Sequence, residues 1–360
     1  MKLTKFFALA LAAFAFVGCG GETPEQGVKP SGDAVLAANN NSVEVNTPIE
    51  FTVTAADGTD LTADAVIYDK SHDYVVVENP YTPTMDGDYE FYAVVGNIIT
   101  PSIKVNVVPT VPALPEDAQP ENTSFNHRIL LVDHTGNTCG YCPKMMEALK
   151  EVAETGDYHS KYYEAMAHTY SSGDPAYSGA ANVVSSHHGV NAYPTLTYNF
   201  YHSTTSSYNA AHIMGQIDAL WKAEGADAGI AAAATLASTS VIVNTEVKAA
   251  VANDYHITAW LLEDGIYAKQ TNATAEWMNT HDNAIRQRVT SDDITGVDLG
   301  AIAAGETKST ALTLKIVGNK WARENLKVMV IVSAKNEKGK YEVANVAICP
   351  MGDVVTYDYK

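Results

Sequence analysis

Hydrophobic and polar positions change rhythm several times along the chain, and each rhythm predicts a different kind of element. In "SVEVNTPIEFTVTAADG" the apolar residues Val43, Val45, Ile49, Phe51 and Val53 fall on one side of an alternating pattern, the period of a half-buried strand. The stretch "TMDGDYEFYAVVGNIITPSIKVNVV" repeats that period, with turn signals at Asp86-Gly87 and Gly96-Asn97. Short strands separated by polar turns predict a small β-sandwich over residues 35–108. "PTVPALPEDAQPENTS" then carries Pro109, Pro112, Pro115 and Pro120, a semi-rigid linker over 109–125 with no means of forming a core.

From Asn126 the pattern lengthens. "RILLVDH" is a continuous apolar run suited to a buried central strand. "PKMMEALKEVAETG" places Met145, Leu149 and Val152 at helical spacing and stops at Gly156. "KYYEAMAHT" reads as a strand, "PAYSGAANVVSSHHG" as a helix and "YPTLTYNF" as a third strand. "NAAHIMGQIDALWKAEG" closes the series, with Ile213, Ile217, Leu220 and Trp221 on one helix face. Strands alternating with helices predict an α/β domain over 126–228, its sheet partly parallel and covered on both sides. After Gly229 helical spacing vanishes, and "YHITAWLLEDG", "STALTLKIVG", "LKVMVIVSAKN" and "YEVANVAIC" predict a second β-sandwich over 229–350, followed by a tail over 351–360. The fold class expected is therefore multidomain, a central α/β unit flanked by two all-β sandwiches.

The first residues fix the compartment. Lys2 and Lys5 precede an unbroken apolar run of twelve residues, Phe6 to Val17, followed by Gly18-Cys19-Gly20. A bilayer needs about 20 apolar residues, so residues 1–18 read as an export signal and not as a membrane span. The small residue before Cys19 resembles a bacterial lipoprotein signal, which implies that Cys19 becomes the lipidated first residue and anchors the chain in outer-membrane lipid. Phe16 departs from that pattern, since Leu is commoner at its position. Residues 19–34, rich in Gly, Pro and charge, read as a flexible tether. Outside the cytosol disulfides form and persist. The formal net charge is −19, and loss of Lys2 and Lys5 with the signal leaves 21 basic against 42 acidic side chains. Such a surface repels phosphate, which excludes nucleic acid and anionic head groups as partners.

Candidate chemistry centres on "HTGNTCGYCPKM", which sets Cys139 and Cys142 between a buried strand and a helix. Two cysteines so placed can be a redox dithiol, half of a metal site, or a staple across a loop. A helix start offers unpaired N–H groups and the positive end of the macrodipole, both of which favour a thiolate. In the redox reading Cys139 attacks a substrate disulfide and Cys142, one helical turn on, resolves the mixed disulfide; Pro143 fits the first helical turn. Zinc needs two further ligands, and the candidates His134, His187 and His188 point in different directions with no second C-x-x-C, so no metal is expected. Nothing in the chain calls for another cofactor. Cys349, at the end of "VANVAIC", reads as a buried free thiol.

Two stretches together resemble the thioredoxin superfamily: "LVDHTGNTCGYC", in which Asp133 lies six residues before Cys139, and "HHGVNAYPTLTYNF". The resemblance implies a thioredoxin-like domain over 126–228, with Cys139 attacking, Cys142 resolving, and Asp133 as a buried carboxylate able to accept the resolving thiol's proton. It also implies a cis Tyr193–Pro194 bond, with Pro194 facing the dithiol and Tyr193 offering backbone groups to a bound peptide. The Gly140-Tyr141 dipeptide resembles that of periplasmic disulfide isomerases and makes Tyr141 a further substrate contact. "HTGNT" departs from the superfamily's aromatic-rich approach to the first cysteine. The distance of 52 residues from Cys142 to Pro194 is long and suggests an insertion around Tyr170 to Tyr177.

"DGDYEFYAVVGN" resembles the penultimate hairpin of immunoglobulin-like modules of exported Bacteroidetes proteins, implying that character for the first sandwich. The exported chain as a whole resembles the thioredoxin-fold outer-membrane lipoproteins of Bacteroidetes typified by the twenty-eight-kilodalton outer-membrane antigen. "WLLEDGIYAKQ" and "HDNAIRQRV" place Glu263, Asp264, Gly265, Gln270, His281, Asn283 and Arg286 at the matching positions, without implying a role for them. The resemblance implies a lipid-anchored thiol-disulfide oxidoreductase of the cell envelope, reducing or isomerising disulfides of exported proteins and recharged by an envelope electron donor. The alternative is a non-catalytic surface lipoprotein that binds host protein or glycan, with the α/β unit as scaffold.

Overall fold

The computed structural model describes residues 33–289, 293–317 and 321–360. The export signal, Cys19 and the tether up to residue 32 lie outside the described residues. The chain divides between Val108 and Pro109 into two compact units.

The first unit holds β1 (Ala34–Ala38), β2 (Ser42–Glu44), β3 (Phe51–Ala55), β4 (Val66–Asp69), β5 (Val75–Val77), β6 (Gly87–Val95), β7 (Ile98–Ile99) and β8 (Ile103–Val108). β1 pairs with β3, and a second sheet runs β2-β8-β6-β4-β5 with β7 on β6. Alternation does the sorting: β3 buries Phe51 and Val53 and turns Thr52 and Thr54 to solvent. Both sheets feed one core, in which Leu36, Phe51 and Val53 meet Ile67, Phe91 and Val105.

The second unit begins with β9 (Ile129–Thr135), α1 (Cys142–Glu154), β10 (Tyr162–His168), α2 (Gly179–His187), β11 (Thr195–Tyr198), β12 (His202–Thr205) and α3 (Ala210–Leu220). It continues with β13 (Ala228–Leu236), β14 (Ser240–Ala249), β15 (Asn253–Glu263), β16 (Ile266–Tyr267), β17 (Thr280–His281), β18 (Ala284–Arg288) and β19 (Val297–Ile302). β20 (Thr307–Lys315), β21 (Leu326–Lys335), β22 (Tyr341–Pro350) and β23 (Val354–Val355) complete it. All seven residues of β9 are buried because both its faces are covered. Ile129 and Leu131 pack with Met145, Leu149 and Val152 of α1 and with Ile213 and Ile217 of α3, whereas Leu130 and Val132 pack with Ala181 and Val184 of α2. The starts of α2 and α3 are capped by side chains: Ser178 accepts from Ala181 N and Asn209 from His212 N.

The expected fold class does not hold. A self-contained central thioredoxin-like α/β domain followed by a separate sandwich was the sequence expectation, but the protein is mostly sheet, with 43% strand against 14% helix. One nine-stranded sheet runs β12-β11-β9-β10-β18-β15-β21-β22, with β19 also paired to β15, so the α/β elements and the later strands share it. The join is the parallel contact of β10 with β18, Met166 opposite Ala284. The physical reason is an edge: at the end of the four strands β12-β11-β9-β10, β10 still presents unpaired backbone N–H and C=O groups, and a later strand satisfies them. A four-stranded sheet, β20-β14-β13-β23, closes the core on the other side. The proline-rich stretch is tied to this unit: Asn244 Nδ2 donates to Pro112 O at 2.9 Å, and the buried Lys248 ammonium reaches Asp117 Oδ2 at 3.0 Å.

Candidate functional site around the Cys139–Cys142 disulfide

β9 delivers the chain at Thr135 into a tight loop, and α1 starts at Cys142 with Pro143 in its first turn. Between them Cys139 and Cys142 form a disulfide, their Cα atoms 5.5 Å apart. Cys139 is only 2% exposed and Cys142 is fully buried, whereas Tyr141 between them is 60% exposed.

The loop is gripped from two sides. On one side Gly136 lies against Tyr170: a Cβ at residue 136 would sit 2.6 Å from the Tyr170 Cβ, so no larger residue fits without movement. Asn137 N donates to Asp174 Oδ2 at 2.7 Å, and the same oxygen is 2.8 Å from His168 Nδ1. On the other side comes the segment after β16. Gln270 Nε2 donates to Cys139 O at 2.9 Å, Thr271 N to Asn137 O at 2.7 Å, and Asn272 Nδ2 to Gly140 O at 3.1 Å. Thr274 Oγ1 donates to Glu147 Oε1 on α1 at 2.6 Å. These contacts come from residues far along the chain and hold a loop in which both cysteines are buried.

Each residue proposed from sequence can now be placed. Asp133 lies on β9, fully buried, with neither carboxylate oxygen hydrogen-bonded to protein. Burial, then the charge of Glu164, holds its carboxyl well above the usual carboxylate range. Glu164 shares that face, since Leu131 pairs with Glu164 and Asp133 with Met166 on adjacent strands. Burial, with Asp282 nearby, raises Glu164 to about 7. The Tyr193–Pro194 bond is cis. Thr195 pairs with His134, which brings Tyr193 and Pro194 beside the end of β9 where the cysteine loop begins. Tyr193 OH is 3.0 Å from Thr169 Oγ1, and its ring meets that of Tyr170 edge-on at 5.4 Å. Lys144 Nζ lies 5.5 Å from the Tyr141 ring and 5.8 Å from that of Tyr208. Half-exposed tyrosines thus rim the sealed disulfide.

The rings of His134, His187 and His188 lie side by side, with His188 5.9 Å from His134 and 5.1 Å from His187, but each of His134 and His187 is engaged by protein partners. His134 is buried, with Nδ1 at 2.8 Å from Ser185 Oγ and Nε2 at 3.0 Å from Thr197 Oγ1, and burial lowers it to about 3. His187 Nε2 meets Phe200 O at 3.0 Å, and burial lowers His188 to about 4. Among the described residues no group of three or more His, Cys, Asp or Glu side chains could hold a metal ion. Cys349 lies in the core between the two large sheets, where burial pushes its thiol up to about 11.

Residues that matched a family without an assigned role turn out to build the grip. Glu263 and Arg286 form a buried ion pair at 2.5 Å, and Arg286 also donates to Pro175 O at 3.0 Å. Asp264 accepts from Asn283 N at 2.7 Å, and Gly265 N donates to Asp282 Oδ1 at 2.8 Å. His281 Nε2 donates to Ala268 O at 3.1 Å and its ring stands 4.8 Å from that of His168. Gln270, Asn272, His168 and Asp174 were not assigned to the site from sequence; for Gln270 the only signal was the "WLLEDGIYAKQ" resemblance itself.

A family model described as "Outer membrane protein Omp28" matches residues 181–351, a span that holds Tyr193, Pro194 and Gln270 but neither Cys139 nor Cys142. No curated protein matches the chain. Among solved structures, HBP35 of Porphyromonas gingivalis is 16% identical over 64% of this chain and 77% of its own, with a TM-score of 0.52, a likeness of fold alone. Domains 4–9 of the surface layer protein SbsC align over 90% of this chain and 51% of that one at 9% identity, and the TM-score of 0.19 supports no argument. The protein is an outer-membrane protein of the cell envelope.

Proposed function

We propose that this chain is a surface lipoprotein of the outer membrane, anchored through Cys19, that binds a protein or glycan partner on the face around Tyr141, Tyr170 and Tyr208, with the disulfide as part of the scaffold. The observation that carries the reading is the burial of both cysteines in a loop whose backbone carbonyls are held by Gln270, Thr271 and Asn272. A turnover centre needs its attacking sulfur accessible; here Cys139 is buried while Tyr141, Tyr170 and Tyr208 are exposed. Aromatic side chains with a polar tip are the residues that most often anchor partners. The test is binding of the purified protein to immobilised glycans and host matrix proteins. Cys139→Ala should bind within about threefold of wild type, and Tyr141→Ala combined with Tyr170→Ala should bind about tenfold more weakly. Binding that follows the cysteine and ignores the tyrosines overturns the reading.

One observation favours thiol-disulfide exchange on exported proteins as a second reading. Asp133, raised and unpaired, lies on the strand that leads into the cysteine loop, where it would exchange a proton with Cys142 while Pro194 and Tyr193 bound the peptide. Cys142→Ala should then accumulate mixed disulfides with envelope proteins, and a blank trap removes this reading.

A further inference from the structure

The segment hydrogen-bonded to the cysteine loop has the form of a closed loop on a neck. β16 and β17 pair at its base, Ile266 opposite His281 and Tyr267 opposite Thr280. Ala268 N donates to Asn279 O at 2.9 Å and Gln270 N to Asn279 Oδ1 at 2.9 Å, so the two ends are held together independently of the tip. Met278 is buried and accepts from Thr274 N at 3.4 Å, which packs the loop on itself. Between these anchors residues 271–277 are largely exposed, and no strand or α-helix continues through them. Compact loops with a closed neck and their own small core are frequently functional.

What the tip touches is narrow. It meets the cysteine loop through the Gln270 amide, the Thr271 N–H and the Asn272 amide, and α1 through Thr274. Two buried acceptors in the seam, Gln270 Oε1 and Asn137 Oδ1, have no protein donor. A buried acceptor left unpaired costs free energy that opening returns. Asn272 has φ of +61°, a conformation that Asn and Gly adopt readily, so the tip is a turn independent of the neck.

We infer that residues 268–279 are a lid over the Cys139–Cys142 disulfide, closed through Gln270, Thr271 and Asn272, and that its opening is the condition for any thiol to reach the sulfurs. The inference goes beyond the binding reading, because it makes the seal conditional. With the lid lifted, a dithiol would react in two balanced steps. Its thiolate attacks Cys139 Sγ, the bond to Cys142 breaks, and Cys142 leaves as a thiolate that takes a proton. The second thiol, losing its proton, then attacks the mixed disulfide and releases Cys139, so the dithiol is oxidised by two electrons and the protein pair reduced.

The test uses the full chain and dithiothreitol, counting new thiols with a maleimide mass tag. Gln270→Met with Asn272→Gly removes both side-chain contacts while keeping volume at 270 and the left-handed turn at 272. The disulfide of this variant should be reduced at least about tenfold faster than that of wild type. Hydrogen exchange on the wild type gives a second reading that needs no variant: the Thr271 amide should exchange faster than the amides of β9 and of the neck. A variant rate within about twofold of wild type, or a Thr271 amide as protected as β9, overturns the lid. Partner binding is not read here, so failure of the lid and failure of the binding reading are separately visible.

Discussion

The half-buried Glu164, on β10 beside the strand that leads into the cysteine loop, gives a sharp handle on the electrostatics there. Burial is the main reason its carboxyl rises from 4.5 to about 7, with Asp282 adding to it. A carboxylic acid raised by folding keeps a proton in the native state that the unfolded chain has lost. Between about 4.5 and 7 the native state therefore binds more protons, and stability falls as pH rises through that window. At about 1.4 kcal/mol per pKa unit the full cost is about 3 kcal/mol above pH 7, and partial exposure reduces it to about 1–3 kcal/mol. Glu164→Gln removes the ionisation at nearly constant shape. The variant should match wild type at pH 4 and gain progressively to pH 8, where about 2–4 °C per kcal/mol gives a rise in Tm of roughly 2–12 °C. Calorimetric melts of both proteins at pH 4, 5, 6, 7 and 8 read the difference. A variant less stable than wild type at pH 8, or a difference that does not change with pH, refutes the reasoning.

Other substitutions test the grip on the cysteine loop. Gly136→Ala places a methyl 2.6 Å from the Tyr170 Cβ and should cost about 1–3 kcal/mol in denaturant titration; Tyr170→Gly should relieve it and Tyr170→Ala should not. Arg286→Met strands the buried Glu263 carboxylate and should cost about 3–5 kcal/mol, much of it recovered when Glu263→Leu is added; equal loss in single and double variants contradicts the pairing. Cys349, buried and raised to about 11, should resist maleimide at pH 8 in the native protein and react on unfolding. Rapid native labelling argues against its place in the core.

Local pattern carried much of the second unit. The apolar run of β9 announces a strand covered on both faces, and Met145, Leu149 and Val152 on α1 do pack beneath that sheet. The strand-like runs "YHITAWLLEDG", "LKVMVIVSAKN" and "YEVANVAIC" are β15, β21 and β22. What periodicity could not say is which strand lies beside which. Met166 and Ala284, far apart in sequence, join β10 to β18 and turn two expected domains into one sheet. Period reports the faces of a strand and is silent about its edges.

The site divides in the same way. Cys139, Cys142 and Asp133 are marked by type and spacing close together in sequence, and strand register brings Tyr193 and Pro194 alongside the cysteine loop. Gln270 is a single polar residue in an irregular stretch, and nothing local foretells that its amide meets Cys139 O from 131 residues away. That contact holds the backbone of a loop in which both cysteines are buried.

Insulin-disulfide reduction with dithiothreitol tests most directly whether the sealed pair is scaffold. Wild type and Cys139→Ser should both leave insulin precipitating at the rate seen with dithiothreitol alone. Acceleration of several-fold by wild type, abolished in Cys139→Ser, would contradict the binding reading and restore the pair as a turnover centre.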